Sequence, residues 1–178
     1  DPDEALAERC RRGDRPALEA LVRRYQKPLY NAAFRVLGSA EDASETTQTV
    51  FLRVWERIHE YDPQYRFFSW IYRIALNESI KALQRRKPTA ALDFETPDGA
   101  PGPEGIYDRC QLSDGVAAAM MSLRTEYRAV IVLRHFMDCS YEDMAAILEL
   151  PEKTVKSRLF SARQLLKTAM ESKGWAPR

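Results

Sequence analysis

Glycine is scarce in this sequence, at 7 of 178 residues, which suits long helices better than strands joined by tight turns. Cysteine is scarcer still. Cys10, Cys110 and Cys139 are odd in number and far apart, so they suit small buried residues in a reducing compartment and argue against a disulfide framework. Only two histidines occur, His59 and His135, and there is no Cys-x-x-Cys pair, so the spacings offer no metal site and imply no cofactor. No apolar run approaches the ~20 residues of a membrane span. The opening Asp1-Pro2-Asp3-Glu4 does not read as a signal peptide, and a cytoplasmic protein with no membrane insertion of its own is expected. No acid, base and nucleophile converge anywhere along the chain, which argues against an enzyme.

A large net charge is also missing. The sum is +1, but its distribution is uneven. Residues 1–88 are net +3, residues 89–113 net −4, and residues 114–178 net +2. Two mildly basic blocks around an acidic joint indicate two modules and a linker. Between Pro88 and Tyr107 fall four of the ten prolines and three of the seven glycines, with hardly an apolar residue. Burial cannot repay the ordering of such a stretch, so it is expected to be extended and mobile. The expected organisation is all-α: a helical module over 1–88, a flexible acidic linker over 89–112, and a four-helix module over 113–178.

What is present centres on Ser140 to Lys167. Ser140 with Asp143 three residues on is a capping-box start, and Met144, Ile147 and Leu148 give the helix one apolar face. The break comes at Glu149-Leu150-Pro151, since Pro151 suits only a first helical turn. In the second helix Val155, Leu159, Ala162 and Leu166 form an apolar stripe at helical spacing. Lys153, Lys156, Ser157, Phe160, Gln164 and Lys167 fall opposite, flanked by Arg158 and Arg163. That face suits a DNA groove: lysines for phosphates, Ser157 and Gln164 for base edges, and Phe160 for a thymine methyl. Small Ala145 sits at the expected crossing over Val155, as in a helix-turn-helix. Glu149 stands where glycine or asparagine is usual, at a cost of about 1 kcal/mol.

The first module reads as helices over Asp3–Arg12, from Asp14 to a stop at Gly38 with a kink at Pro28, from Ser39 to about Glu60, and from a cap at Ser69 to about Arg86. The third opens on a polar patch, Ser44 to Thr49, read as a solvated turn, and Phe51, Leu52, Val54, Trp55 and Ile58 supply its apolar side. Before and within the fourth, Tyr61, Tyr65, Phe67, Phe68, Trp70 and Tyr72 are interleaved with basic residues, and Arg73, Asn77, Lys81 and Gln84 make a polar stripe. Aromatics among bases are the ingredients of a single-strand site, and six rings are hard to bury completely beneath one helix. The second module adds helices from Gln111 to about Ser122 and from Thr125 to Phe136.

Taken together, four segments resemble the bacterial RNA polymerase sigma factors of the extracytoplasmic-function class. They are Leu37-Gly-Ser-Ala-Glu-Asp-Ala with Thr47-Gln48; Phe51-Leu-Arg-Val-Trp55; Phe68-Ser-Trp-Ile-Tyr-Arg-Ile-Ala-Leu-Asn77; and Tyr127-Arg128 through Tyr141-Glu142 to Thr154-Val-Lys-Ser-Arg-Leu-Phe160. The resemblance runs from about Ala17 to Lys167. It implies a subunit that binds core RNA polymerase and promoter DNA and is held by an anti-sigma protein. It assigns polymerase docking to Glu45, Gln48, Phe51 and Trp55. It assigns capture of the melted downstream (−10) strand to Phe67, Phe68, Trp70, Arg73 and Asn77, and Lys81 extends that polar stripe. It assigns upstream (−35) duplex readout to Thr154, Lys156, Ser157, Phe160 and Ser161, beside Arg158 and Arg163. Ser44, Thr46, Thr49 and Ser161 depart from the residues usual in the class. The competing reading is a free-standing helix-turn-helix regulator with an N-terminal sensing domain. It leaves the aromatic-basic stretch and the acidic joint without a role.

Overall fold

The computed structural model describes residues 2–86, 114–172 and 174, and every regular element among them is helical. The acidic joint over 89–112 and Cys110 lie outside the described residues. The first domain holds α1 (Asp3–Arg11), α2 (Arg15–Leu37), α3 (Ala40–Arg57, followed by a 3-10 turn Ile58–Glu60) and α4 (Phe67–Arg85). The second holds α5 (Asp114–Ser122), α6 (Thr125–Ile131, running on as a π turn Val132–Phe136), α7 (Tyr141–Leu148) and α8 (Glu152–Ser172).

Local chemistry fixes most of these ends. The Asp14 carboxylate accepts from Ala17 N–H at 3.2 Å and starts α2 with a proline in its first turn. Gly38, in the left-handed region at φ 69°, ends α2 by donating to Phe34 O. Ser39 Oγ and Ser140 Oγ accept from Asp42 N–H and Asp143 N–H, at 3.2 and 3.0 Å, and start α3 and α7. Each such cap contributes about 1 kcal/mol. Helix α2 continues through Pro28. The expected cap at Ser69 is corrected. Helix α4 begins three residues earlier, with Arg66 as the N-cap residue, and Ser69 is buried inside the first turn. Arg124 takes the extended conformation before α6 (φ −61°, ψ 148°) with no side-chain cap.

Helices α2, α3 and α4 pack around Leu21, Leu29, Val50, Val54, Phe67 and Ile71, while α1 closes one end with Leu6 and Ala7. Helices α5, α6 and α7 pack on α8 around Met120, Val130, Leu133, Met144, Val155 and Leu159. Burying each large aliphatic side chain is worth roughly 1.5–3 kcal/mol. The two domains also meet directly, α4 against α7 and α2 against the π turn. Two buried or partly buried arginines bridge them. The Arg128 guanidinium of α6 donates to Val36 O near the end of α2 and to Leu123 O at 3.1 Å. Arg35 of α2 lies 3.8 Å over the Phe136 ring. Burial, and then the charge of Arg86, pushes the Arg128 pKa down to about 10, yet the group faces the negative end of a helix dipole and keeps its charge at neutral pH.

Candidate nucleic-acid and polymerase interfaces

Three surfaces carry the candidate residues. The first is the outer face of α3, where Glu45, Gln48 and Trp55 are exposed and Phe51 is partly buried. Leu52, which sequence places on the apolar side of the helix, is 63% exposed beside Trp55 at 39%. Its spacing of four from Gln48 and three from Trp55 is the signal that places it there. The polar opening of α3 also differs from expectation. Thr46 and Thr47 are buried, and Thr47 Oγ1 donates to Ala43 O at 2.7 Å. Hydroxyls satisfied by the carbonyl four residues back can sit in a core.

The second surface is α4 with the loop before it. Of the six rings, Tyr61, Phe67 and Tyr72 are buried, Phe68 and Trp70 are half-buried, and Tyr65 is 66% exposed. Phe67 is therefore corrected from a strand-facing ring to a core ring. It is fully buried, edge-on to Tyr25 and Tyr61 with centroids 5.7 and 5.4 Å away. Helix α4 starts earlier than sequence indicated, which turns Phe67 inward and Phe68 toward the rim. Phe68 lies 4.5 Å from the Tyr72 ring, with the Arg66 guanidinium 5.5 Å from its own. Trp70 leans on Tyr61 at 5.5 Å. The polar stripe is present. Asn77 and Lys81 are exposed, Lys81 Nζ sits 2.9 Å from Glu78, and Arg73 is partly exposed.

The third surface is the outer face of α8. Val155, Leu159 and Ala162 are buried, while Lys156, Ser157, Phe160, Arg163 and Gln164 are exposed. Phe160 is 65% exposed, an unusual state for a phenyl ring and one that leaves it free to meet a ligand. Thr154, Arg158 and Ser161 are partly buried along the edges of this face. Lys156 Nζ stands 4.0 Å from Glu152 and 5.3 Å from the Tyr141 ring centre. Arg163 Nε donates to His135 Nε2 at 3.1 Å. Partial burial, then Arg163 and Arg134, hold the His135 pKa below its ordinary 6.5, so it accepts as the neutral ring. The turn before α8 takes the shape of a helix-turn-helix: Glu149 is left-handed (φ 55°, ψ 45°) and donates to Ala145 O. Both described cysteines are buried, with their thiols pushed up chiefly by burial, Cys139 to about 12, so they are inert packing groups. No described helix is long and apolar enough to cross a membrane.

The second domain carries an exposed basic face with one phenyl ring and the first an aromatic-basic helix, and comparison with known proteins gives the family that combines them. Residues 21–89 match the family model for Sigma-70 region 2, and residues 113–166 match that for Sigma-70 region 4. The chain belongs to the extracytoplasmic-function (ECF) sigma factors of RNA polymerase. It is 30% identical to the RNA polymerase sigma-H factor of Pseudomonas aeruginosa over 96% of this chain and 95% of that one. It is 32% identical to the ECF RNA polymerase sigma-E factor of Escherichia coli, over 92% of each. Among solved structures it is similar to CnrH in complex with the cytosolic domain of CnrY. That likeness has a TM-score of 0.74 and 27% identity, and covers 97% of this chain and 99% of that one.

Proposed function

We propose that this chain is an alternative sigma factor that directs core RNA polymerase to particular promoters and helps open them. The chain recognises and the polymerase performs the chemistry. Residues 1–88 would dock on polymerase and capture the −10 strand, and residues 113–178 would read the −35 duplex, with 89–112 spanning them.

On α3, the exposed Leu52 and Trp55, with Phe51, Glu45 and Gln48, supply an apolar patch rimmed by polar groups for the polymerase. On α4, Phe68 and Trp70 offer stacking surfaces for unstacked bases. Arg73 and Lys81 neutralise phosphates, and the Asn77 amide can both donate to and accept from a base edge. On α8, Lys156, Arg158 and Arg163 fix the helix on the phosphates. Thr154, Ser157, Phe160 and Ser161 reach base edges and methyl groups. A rigid duplex reader and a strand catcher on separate domains let binding energy at one end offset the few kcal/mol needed to unstack bases at the other.

The observation that carries this reading is that both sigma regions lie on one chain, each with its working face at the surface. An anti-sigma protein is the proposed partner outside transcription. The similar CnrH was solved bound to a second protein, and the apolar patch on α3 needs cover when polymerase is absent. The proposed site of action is the cytoplasm, on the nucleoid when polymerase is bound. Mixing the purified chain with core polymerase tests the reading. Co-elution on size exclusion supports it, whereas separate elution points to a free-standing regulator.

A further inference from the structure

Two arginines of α4 and its N-cap, Arg66 and Arg73, are engaged by another part of the same chain. Arg66, where α4 begins, donates Nη1 to both carboxylate oxygens of Asp143, at 2.7 and 3.0 Å. Arg73, two turns on, donates Nη2 to Ala146 O at 2.8 Å, and its Nη1 lies 3.2 Å from Glu149 Oε1. These acceptors all belong to α7 and its C-cap. Ala146 is in the last turn of α7, where carbonyls have no partner within the helix. Guanidinium donors held by carboxylates and a free carbonyl are the same donors that would hold phosphate oxygens. Helix α7 thus presents to α4 the chemistry of a nucleic-acid backbone.

Glu149 supplies the second line of evidence. It occupies a left-handed position that glycine fills without strain. The turn itself has no use for a carboxylate, and the carboxylate contacts Arg73. The residue that departs from the usual turn chemistry is therefore the one that completes the contact with α4. The recognition face of α8 has no such cover, for Lys156, Ser157 and Phe160 stay exposed.

Resting on the reading of α4 as the strand-holding helix, we propose that α7 is an internal stand-in for the melted strand. Asp143 and Glu149 occupy Arg66 and Arg73 in the free chain. The closed chain meets duplex through α8 but does not hold a strand until its two domains part. Polymerase, by binding the parted form, shifts the balance and exposes the arginines.

The test uses the full chain with Asp143→Asn and Glu149→Gly combined. A Glu142→Gln, Glu171→Gln chain is the control. Both of its residues are exposed, and it makes the same change in net charge without touching the contact. The probe is a mixed-sequence single strand of about 12 nucleotides, read by fluorescence anisotropy. Small-angle scattering on the same samples reads the separation of the domains. Loss of these two ion pairs should enlarge the radius of gyration and tighten strand binding about 3- to 10-fold over the control. Affinity equal to the control, or tighter binding without expansion, overturns the proposal. Asp143→Asn removes an acid from the first turn of α7, so Glu149→Gly is also measured alone. It relieves the backbone, should keep or raise the thermal midpoint, and should still loosen the contact. Asn77→Ala added to the opened chain separates the two ideas. If strand affinity is indifferent to Asn77, the strand role of α4 fails, while the scattering still decides whether α7 holds the chain closed.

Discussion

Leu159 and Phe160 are adjacent in sequence and opposite in consequence, which makes them an internal control for the recognition face. Leu159 is 1% exposed beneath α8, and Phe160 is 65% exposed on its outer side. Leu159→Ala leaves a cavity in the buried core beneath α8 and should cost about 2–5 kcal/mol of stability. Phe160→Ala removes a ring that already faces solvent, so the thermal midpoint should move little. What it should lose is apolar contact with a base in the groove, about 1–3 kcal/mol of readout. That converts to roughly 5- to 150-fold in promoter occupancy. Run-off transcription by the reconstituted holoenzyme, from a promoter with an intact upstream element, measures the second effect. Thermal unfolding of the free chain measures the first. Leu159→Ala should fail in both and Phe160→Ala only in transcription. A Phe160→Ala chain that transcribes normally would show that the outer face of α8 does not read DNA.

Other perturbations separate the remaining surfaces. Leu52→Asp with Trp55→Ala should leave the fold intact, since both side chains already face water, and should weaken core-polymerase binding at least ~10-fold in a pull-down titration. Asn77→Ala should keep its thermal midpoint and polymerase affinity while shortening open-complex lifetime, and a pre-melted bubble template should rescue it only in part. His135 has a folded pKa below its ordinary value, so the folded chain binds fewer protons there than the unfolded chain. Stability should therefore fall as pH drops through about 6.5 and level off below the folded pKa. The same pH series on His135→Gln should show a flatter fall, as seen by thermal unfolding.

The helix ends were legible because they depend on near neighbours. Asp14, Ser39 and Ser140 cap the helices they precede, and Gly38 ends α2, all through contacts within four residues. The outer face of α8 is legible because the opposite apolar stripe is regular, with Val155, Leu159 and Ala162 buried and Leu166 partly so. Phe67 was misplaced for a physical reason: α4 starts at Phe67 rather than after Ser69, and that shift changes which ring faces the core. Leu52 is missing from the docking residues that sequence suggests, although its register puts it beside Trp55 on the outer face. The polar hydroxyls of Thr46 and Thr47 suggest a solvated turn, yet both residues are buried, and Thr47 donates to Ala43 O of its own helix. The contacts of Arg66 and Arg73 with α7 join residues more than seventy positions apart, and no local spacing announces them. Only Glu149, an odd choice for a left-handed turn, left a trace of them in the sequence.

The proposed division of labour has one chain catch a melted strand with α4 while it reads duplex with α8. Permanganate footprinting of a promoter complex made with reconstituted holoenzyme tests it most directly. Reactive thymines are expected at the downstream element with the unaltered chain, and their loss with Asn77→Ala on an otherwise occupied upstream element. Thymines that stay unreactive with the unaltered holoenzyme, or equally reactive with core polymerase alone, would contradict it.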